Sequence, residues 1–472
     1  MSTHLDIEHA LAELSLEEKA RLLSGASAWQ SYAVERLGIP SMWFADGPYG
    51  VRRETAPLVS LPATAFPTQS CLGATWDRDL VHGVGRALGR EAAAQGVTVL
   101  LGPGLTMKRT PLNGRNFENF SEDPLLTGEL AAAYVRGVQA EGTGASLKPF
   151  ALNNQETGRH WFSAVVDGRT FREIYGAATE RVVREASPWT IMNAYNRVNG
   201  EFAAQNRWLL TTVLREEYGY DGVVISDWGA VHDRVAALEA GTDLEMDFAP
   251  GREVEAVVEA VRDGRLSAEV LDASVRRVLT LVARTQGPAR GTPLRPDEVE
   301  AHHALARRAA AEGAVLLRNS GVLPLTGDGS LTVAVIGRYA AEPRIQGGGS
   351  ALVNPVRVET FLDGARQYAG EVRYAPGFVL DGDEPDEAAE REVAAAAEGA
   401  DVAVVQLGGN DASLGVSKAA HATDVCRLLD QIAAVGVPRV IWVGPGVTRL
   451  DDLELARQPV RQAQAETVAG AG

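Results

Sequence analysis

Short apolar runs alternate with helix-length amphipathic segments over the first ~290 residues of the chain. This alternation is typical of parallel α/β folds, in which each strand is followed by a helix that covers the sheet. The predicted strands are Ile39–Ala45, Val97–Leu101, Ala145–Phe150, Trp189–Ala194, Gly222–Ser226 and Thr242–Met246, and the predicted helices are Arg78–Gln95, Pro124–Glu141, Thr170–Glu185, Trp208–Tyr218 and Val254–Arg262. The pattern suits a (β/α)8 TIM-type barrel, and a doubly wound open sheet is the competing architecture.

The second part of the chain carries a separate α/β pattern. Residues 286–300 are rich in glycine, proline and charge, which is typical of a linker. A helix is predicted over His303–Leu317, followed by strands at 331–337, 372–374, 401–407 and 439–443 and an alanine-rich helix at 386–398. We therefore predict a barrel over residues 1–285, a linker and connecting helix over 286–325, and an α/β sandwich over 326–472.

Polar side chains follow the predicted strands of the first domain. They are Asp46, Lys148, Asn196, Asp227 and Asp247. In a barrel the carboxyl ends of the strands converge on one mouth, where active sites are built. The competing explanation is that loops are polar in general, which accounts for any one position more easily than for all of them together. The pattern predicts a polar cleft at the barrel mouth.

Composition and charge exclude several classes of protein. The chain has 472 residues, a net charge of −17 and two cysteines far apart in sequence. The acidic balance disfavours nucleic acid and anionic membranes as partners, and two distant cysteines make neither a disulfide framework nor a metal site. The N-terminus has no signal-peptide pattern and no apolar run is long enough to span a membrane, so we expect a cytoplasmic protein and leave its oligomeric state open.

Acidic residues in a barrel mouth are typical of glycoside hydrolysis or of metal-assisted hydrolysis. The candidates for metal ligands are Asp243, Glu245 and Asp247, which alternate along one predicted strand, together with His160 and His232. Solvated or helix-capping acids are the competing explanation for the triplet. We expect no metal and no other cofactor.

Several stretches are more specific than these patterns. They are WFADGPYGVR (43–52), LGPGLTMKRTPLNGRNFENFSEDPLLTG (101–128), LKPFALNNQET (147–157), IMNAYNRVNG (191–200), GVVISDWGAVHD (222–233) and QGGGSALVNP (346–355). In this order the chain resembles the β-glucosidases of glycoside hydrolase family three, almost without a break from about residue 15 to about residue 360. The resemblance implies a retaining β-glycosidase that acts on a small-molecule glycoside, built as a TIM-type barrel followed by an α/β sandwich.

The resemblance also implies roles for individual residues. Asp227 matches the nucleophile that forms the covalent glycosyl–enzyme. The residues that match substrate-binding positions are Asp46, Arg115, Lys148, Met192, Tyr195 and Trp228. For Arg115 and Lys148 the competing explanation is a structural ion pair with Glu118 or Glu156.

Two positions depart from the family pattern. Pro149 stands where the family has a histidine that contacts the sugar, and Ala412 stands where it has the catalytic acid/base glutamate. Asp411 is the carboxylate next to that position and is the candidate replacement. The sandwich is also shorter than in the family. The alternative to an active enzyme is therefore a catalytically impaired homologue that binds a sugar or a partner protein.

Overall fold

The computed structural model describes residues 5–249, 251, 253–287, 290–317, 319–346, 349–377, 387–406, 432 and 434–443. The chain separates into two compact units, Met1–Val315 with Gln346–Arg357 and Leu316–Ile345 with Val358–Gly472. The segment Gln346–Arg357 belongs to the first unit through its contacts. The Tyr49 hydroxyl donates to the Ala351 carbonyl at 2.7 Å, and Asn354 and Pro355 pair with Pro62 and Ala63.

The core of the first unit is a parallel sheet of five strands. In order across the sheet they are Phe44–Asp46, Val99–Leu101, Gly144–Phe150, Thr190–Asn193 and Val223–Ile225. Every strand residue except Pro149 is buried, which explains why the strands appear in the sequence as continuous apolar runs. The spatial order equals the chain order, whereas a doubly wound sheet reverses its order at a switch point. The predicted parallel α/β class is confirmed.

Helices surround this sheet. They are Ile7–Glu13, Leu16–Leu22, Gln69–Thr75, Arg78–Ala94, Pro124–Ala140, Gly168–Thr170, Ala177–Ala186, Arg234–Ala240, Val254–Arg262, Ala268–Arg284 and Pro296–Gly313, with π-helical turns at Phe171–Tyr175 and Trp208–Glu217. Helices Arg78–Ala94 and Pro124–Ala140 approach closely, since a Cβ on Gly85 would lie 2.5 Å from the Tyr134 carbonyl oxygen. Glycine is therefore required where these two helices cross.

The predicted strand Thr242–Met246 is wrong as a regular strand. Its segment contributes only isolated parallel bridges, from Leu244 to Ile225 and from Glu245 to Ser24. The reason lies in a side chain, because the buried carboxylate of Asp243 accepts the backbone N–H of Val224 at 2.8 Å and so replaces a ladder hydrogen bond. Eight regular strands are therefore not seen in the part of the first unit that the structure describes.

The same segment does not carry the metal site offered as an alternative. Asp243 accepts from Arg215 at 2.7 Å and from Arg277 at 2.9 Å, and Glu245 lies 3.5 Å from Arg234. These acids are neither solvated nor helix-capping, but buried and paired with arginines. Among the described residues, no group of three or more His, Cys, Asp and Glu side chains is placed to hold a metal ion.

The connecting helix begins earlier than predicted. It spans Pro296–Gly313 rather than His303–Leu317. Proline at the first helical position already has the backbone angle of a helix, and the Glu298 side chain accepts from the backbone of Arg295 to complete a cap. The proline-rich and charged composition that predicted a linker is here a helix start.

The second unit contains a four-stranded parallel sheet. The order across it is Glu371–Ala375, Thr332–Ile336, Val402–Gln406 and Val440–Val443, with helices Phe361–Tyr368 and Glu387–Ala397. Val393 and Ala397 of the second helix pack on Ala334, Ile336 and the other apolar residues of one sheet face. The predicted strands and the alanine-rich helix of this domain are confirmed. Across the described parts of both units, no helix is long and apolar enough to cross a membrane.

Candidate active site

A cavity of about 940 Å³ opens in the first unit at the carboxyl ends of the sheet strands. The predicted site residues that line it are Asp46, Arg115, Lys148, Met192, Tyr195, Asp227 and Trp228. Asn196 and Asp247, the other polar residues predicted at strand ends, are not among the lining residues. Asp411 and Ala412 lie outside the described residues. The predicted polar cleft at the strand ends is therefore present.

Asp227 lies two residues beyond the strand Val223–Ile225 and is held by two donors. The Tyr195 hydroxyl donates to its Oδ1 at 2.8 Å, and the backbone N–H of Trp228 donates to the same oxygen at 2.9 Å. No donor among the described residues bonds to Oδ2. One carboxylate oxygen is thus fixed in place, while the other is left for a ligand in the cavity.

The surroundings of Asp227 act on its ionisation in opposite directions. Burial raises the pKa of Asp227 above its ordinary 3.8, and the charges of Lys148 and Arg115 and the hydrogen bond from Tyr195 oppose that rise. Burial, together with the adjacent Asp227 charge, raises the pKa of the Tyr195 phenol strongly. Tyr195 therefore keeps its proton and remains a hydrogen-bond donor to the carboxylate.

Asp46 and Lys148 form a buried ion pair in the cavity wall. Lys148 Nζ donates to Asp46 Oδ1 at 2.9 Å, and Arg52 lies 3.9 Å from the other Asp46 oxygen. The two paired side chains are 8% and 9% exposed, so each still reaches the cavity. Such a pair offers both a charged acceptor and a charged donor to a ligand rich in hydroxyl groups.

Arg115 forms an ion pair with Glu118, one of the two partners named in the competing explanation, whereas Lys148 pairs with Asp46 and with neither of those two. Arg115 makes a bidentate pair with Glu118 at 2.9 and 2.6 Å and also lies 3.3 Å from Ser350 Oγ. Burial lowers the Arg115 pKa, but the pairing with Glu118 outweighs this and raises it overall. Glu156 pairs with Arg159 at 2.9 Å instead of with Lys148.

Arg159 and His160 were missed as neighbours of Tyr195. The Arg159 guanidinium lies over the Tyr195 ring at 4.6 Å, and the His160 ring meets the same ring edge-on at 4.4 Å. His232, the other candidate metal ligand, stacks on Phe202 at 3.7 Å. Both histidines are thus occupied by ring contacts. Arg159 and His160 lie within three residues of the end of the stretch LKPFALNNQET (147–157). The resemblance of that stretch to the family is the signal that could have pointed to them.

The residues that line the cavity include two chemically different groups, which we call the polar side and the apolar side. The polar side is the group Asp46, Arg115, Lys148, Glu156, Arg159 and Tyr195, and the apolar side is the group Trp29, Leu58, Trp228 and Phe248. On the apolar side, the rings of Trp29 and Trp228 lie 5.2 Å apart, and each indole N–H is already bonded, to Glu54 at 2.7 Å and to the Ala28 carbonyl at 2.6 Å. Asp227 contacts one residue of each group, because the Tyr195 hydroxyl and the Trp228 backbone N–H both donate to its Oδ1.

The carboxylates that line the cavity are not equivalent. The paired ones, each with its cation, are Asp46 with Lys148, Glu54 with Arg52, Glu118 with Arg115 and Glu156 with Arg159. Asp227 has no cation within ion-pair distance among the described residues. Since pairing occupies the other carboxylates, the geometry singles out Asp227 as the carboxylate that can react.

Comparison with known proteins identifies the family. Residues 11–281, more than half of the chain, match the glycosyl hydrolase family 3 N terminal domain. The chain belongs to glycosyl hydrolase family 3. Residues 314–450 match the C-terminal domain of the same family.

The family 3 relatives include proteins named for two activities. Over 414 residues the chain is 47% identical to "Thermostable beta-glucosidase B" of Acetivibrio thermocellus. The matched region covers 86% of this chain and 54% of that protein. It is 45% identical over 414 residues to an "Exo-alpha-(1->6)-L-arabinopyranosidase" of Bifidobacterium longum. That matched region covers 84% of this chain and 54% of that protein. The chain therefore spans about half the length of these relatives.

Solved structures of the family share this fold. A GH3 β-glucosidase of Bifidobacterium adolescentis is 42% identical, with a TM-score of 0.82 over 92% of this chain and 63% of that chain. β-Glucosidase 3B of Thermotoga neapolitana, solved with glycerol, is 33% identical, with a TM-score of 0.81 over 92% of this chain and 68% of that chain. The predicted class, a TIM-type barrel followed by an α/β sandwich, is confirmed by these similarities.

Proposed function

We propose that the protein is a retaining β-glycosidase that hydrolyses a terminal β-linked sugar through a covalent glycosyl–Asp227 intermediate. The observation that carries the proposal is the position of Asp227 in a cavity of about 940 Å³. Its carboxylate has no cation partner among the described residues and is held by two hydrogen-bond donors. An Asp227 oxygen attacks the anomeric carbon while the bond to the aglycone oxygen breaks. Water then attacks the same carbon, releases the sugar and restores the carboxylate.

The polar side supplies the contacts for the sugar in this proposal. Asp46 accepts hydrogen bonds from sugar hydroxyls, and Lys148 and Arg115 donate to others. Tyr195 positions the nucleophile through its hydroxyl. Met192 and Trp228 form apolar walls for the ring. The lining positions and the contacts described above support these roles, because each of these groups reaches the cavity next to Asp227.

The departing alcohol needs a proton from a general acid. The other cavity carboxylates in the described part of the chain are paired with cations, and a general acid must carry a proton to give away. Ala412 takes the place of the family's acid/base glutamate, and Asp411 is the candidate replacement. We therefore propose that the first step depends on the acidity of the departing alcohol.

The sugar and the partners are further parts of the proposal. The names of the relatives point to β-glucosides and to L-arabinopyranosides as the first substrates to examine. A net charge of −17 supports the proposal that the partner is a small-molecule glycoside and not a nucleic acid. The relatives, which are named for glycosidase activities, support an active enzyme rather than the alternative of an impaired homologue.

The test is the configuration of the first product. The protein is incubated with a dinitrophenyl β-glucoside and, separately, with a dinitrophenyl α-L-arabinopyranoside, and the sugar released is followed by proton NMR before it mutarotates. A double displacement releases the sugar with the anomeric configuration of the substrate. Release of the opposite anomer first, or no turnover of either activated glycoside, would contradict the proposal.

A further inference from the structure

The lysines in the described part of the chain differ in the groups that face their amines. Lys19 Nζ donates to Asp272 at 2.7 Å, and Lys148 Nζ donates to Asp46 at 2.9 Å. Lys108 is different, because its amine bonds only to uncharged oxygens and has no carboxylate at ion-pair distance among the described residues. The partners of this third amine therefore need a separate explanation.

Two neutral acceptors hold the Lys108 amine. It donates to Ser70 Oγ at 2.6 Å and to the Phe120 carbonyl at 3.2 Å. The Ser70 hydroxyl in turn donates to the Asn116 carbonyl at 3.0 Å, so it faces the amine with a lone pair and not with its hydrogen. A neutral amine has two N–H bonds, and these two acceptors use both. Its lone pair is therefore left without a donor among the described residues.

Burial makes the neutral form of this amine accessible. Lys108 is half-buried, and an ammonium out of water without a carboxylate partner is costly. Burial lowers the pKa of Lys108 from 10.5 to about 8, and the charge of Glu122 opposes this fall only in part. At pH 7.5 roughly a quarter of such amines are neutral, against about a thousandth for an ordinary lysine. The neighbours Arg109 and Thr110 are exposed, so a reagent can approach from the surface.

The same amine ties down the loop that carries Arg115. Through Ser70 it is joined to helix Gln69–Thr75, and through the Phe120 carbonyl it is joined to the far end of the loop 108–120. Arg115 lies within this loop and lines the cavity. A change in the Lys108 amine would therefore alter how firmly this part of the cavity wall is held.

We infer that Lys108 is a site of covalent acylation by an acyl phosphate, and that the acyl group loosens the loop that carries Arg115. The lone pair of Nζ attacks the acyl carbon and forms a C–N bond, while the C–O bond to the phosphate breaks. The phosphate leaves with that bonding pair, and the nitrogen gives one proton to the solvent. The amide has a single N–H, so it cannot keep both contacts. This inference goes beyond the proposed glycosidase function and does not depend on it.

Acylation rates of the individual lysines test the site. The full chain is incubated with acetyl phosphate, and the acetyl group on each lysine peptide is followed over time by mass spectrometry. The lower basicity of the Lys108 amine offsets part of its larger neutral fraction, so at pH 7.5 we expect it to react about tenfold faster than Lys19. Since only the neutral amine reacts, the Lys108 rate should rise up to pH 8 and level off above it.

Two results would overturn the site. One is a rate at Lys19 or Lys148 that equals the rate at Lys108. The other is a Lys108 rate that continues to rise about tenfold for each pH unit from 8 to 10, as the rate of an ordinary lysine does. Both readouts are independent of glycosidase activity, so they stand apart from the product-configuration experiment.

Hydrogen exchange measured by mass spectrometry tests the effect on the loop. The backbone amides of residues 109–119 should exchange about tenfold faster in the acetylated protein, while helix Ala268–Arg284 keeps its exchange rate. Lys108→Arg is the matched control, because a guanidinium can still donate to both acceptors and is not acylated under these conditions. After the same treatment its loop should exchange at the untreated rate.

A second variant reproduces the modification without a reagent. Lys108→Gln replaces the amine by a neutral amide, so its loop should exchange as fast as that of the acetylated protein. Slow loop exchange in both the acetylated protein and Lys108→Gln would overturn the loosening. Faster exchange in treated Lys108→Arg, or an equal increase in helix Ala268–Arg284, would overturn it as well, since the effect would then not arise from Lys108 and its loop.

Discussion

On the polar side of the cavity the buried carboxylate Asp46 and the partly buried Glu156 each face a cation, whereas on the apolar side Leu58 and Phe248 are more than two-thirds exposed. Ion pairs of low exposure hold charged groups at fixed positions before any ligand arrives. Exposed apolar side chains have no such restraint and gain from contact only when a ligand covers them. The polar side is thus fixed before a ligand arrives, whereas the apolar side gains contact only when a ligand covers it, and we propose that the polar side holds the sugar hydroxyls.

The largest predicted effect concerns the general acid. The described cavity carboxylates other than Asp227 are paired, and the sequence resemblance places Ala412 where the family has its acid/base glutamate. We therefore expect the protein to cleave an alkyl glycoside or a disaccharide about 10²–10⁴-fold more slowly than an enzyme with a general acid does. A dinitrophenyl glycoside needs no protonation, so it should react with a burst of phenol. Stopped-flow absorbance measures the burst.

Azide and a single substitution sharpen this prediction. Azide needs no general base, so it should accelerate turnover of the activated substrate and form a β-glycosyl azide. Ala412→Glu should restore cleavage of disaccharides. Efficient cleavage of unactivated glycosides by the unmodified protein, with no effect of azide, would show that another group supplies the proton, with Asp411 as the first candidate.

The second prediction removes the cation that faces Asp46. Lys148→Met leaves Asp46 without its 2.9 Å partner and takes away a charge that favours the ionised form of Asp227. Removing Lys148 leaves the buried Asp46 charge uncompensated and disfavours the ionised form of Asp227, so we expect kcat/KM to fall about 10²–10³-fold. Lys19→Met is the matched control, because Lys19 pairs with Asp272 and does not line the cavity. A loss of less than threefold in Lys148→Met would place sugar recognition elsewhere.

The third prediction concerns pH. Asp227 must be ionised to attack, and burial raises its pKa above 3.8, so kcat/KM should fall as the pH drops through a value higher than that of an ordinary aspartate. Tyr195→Phe removes a donor that favours the ionised form, so the acid limb should move to higher pH. The lost hydrogen bond to a charged group should lower kcat/KM about 10–100-fold.

Tyr218→Phe is the control for this experiment. Tyr218 is a buried tyrosine outside the cavity, and its hydroxyl has no hydrogen-bond partner among the described residues. Its pH profile should match that of the unmodified protein. If Tyr195→Phe gives the same acid limb as Tyr218→Phe, the hydrogen bond to Asp227 does not tune the nucleophile.

The smallest predicted effect is a gain on the polar side. Pro149 lines the cavity and offers no side-chain donor, and the sequence resemblance implies a histidine at this position in the family. Pro149→His should raise kcat/KM for glucosides by about tenfold, the value of one hydrogen bond of ~1–2 kcal/mol. The gain should vanish for the deoxy sugar that lacks the contacted hydroxyl, and equal gains for all deoxy sugars would refute the contact.

The sequence predicted the polar side better than the apolar side for a physical reason. Asp46, Lys148 and Asp227 stand at or just beyond the ends of buried parallel strands, and continuous apolar runs mark such strands clearly. Glu54, in the short strand Glu54–Ala56, accepts from Trp29 in a loop, and the exposed Leu58 looks in the sequence like any surface residue. Neither has a periodic signal.

Side chains that replace backbone interactions explain the remaining differences in the fold. The Asp243 carboxylate takes the N–H of Val224, and this prevents the regular strand that alternation predicted for 242–246. Pro296 begins a helix in a stretch whose composition indicated a linker. In both places the outcome depends on a partner that single-sequence patterns do not contain, a buried arginine cluster in one case and a helix cap in the other.

Trapping the intermediate tests the central claim most directly. The protein is incubated with an activated 2-deoxy-2-fluoro glycoside, which slows breakdown of the glycosyl–enzyme, and is then digested and sequenced by mass spectrometry. The account predicts one added fluoroglycosyl group on the peptide that contains Asp227, and no label in Asp227→Asn. Label on another cavity carboxylate, or an unlabelled protein that still turns over the activated glycoside, would contradict it.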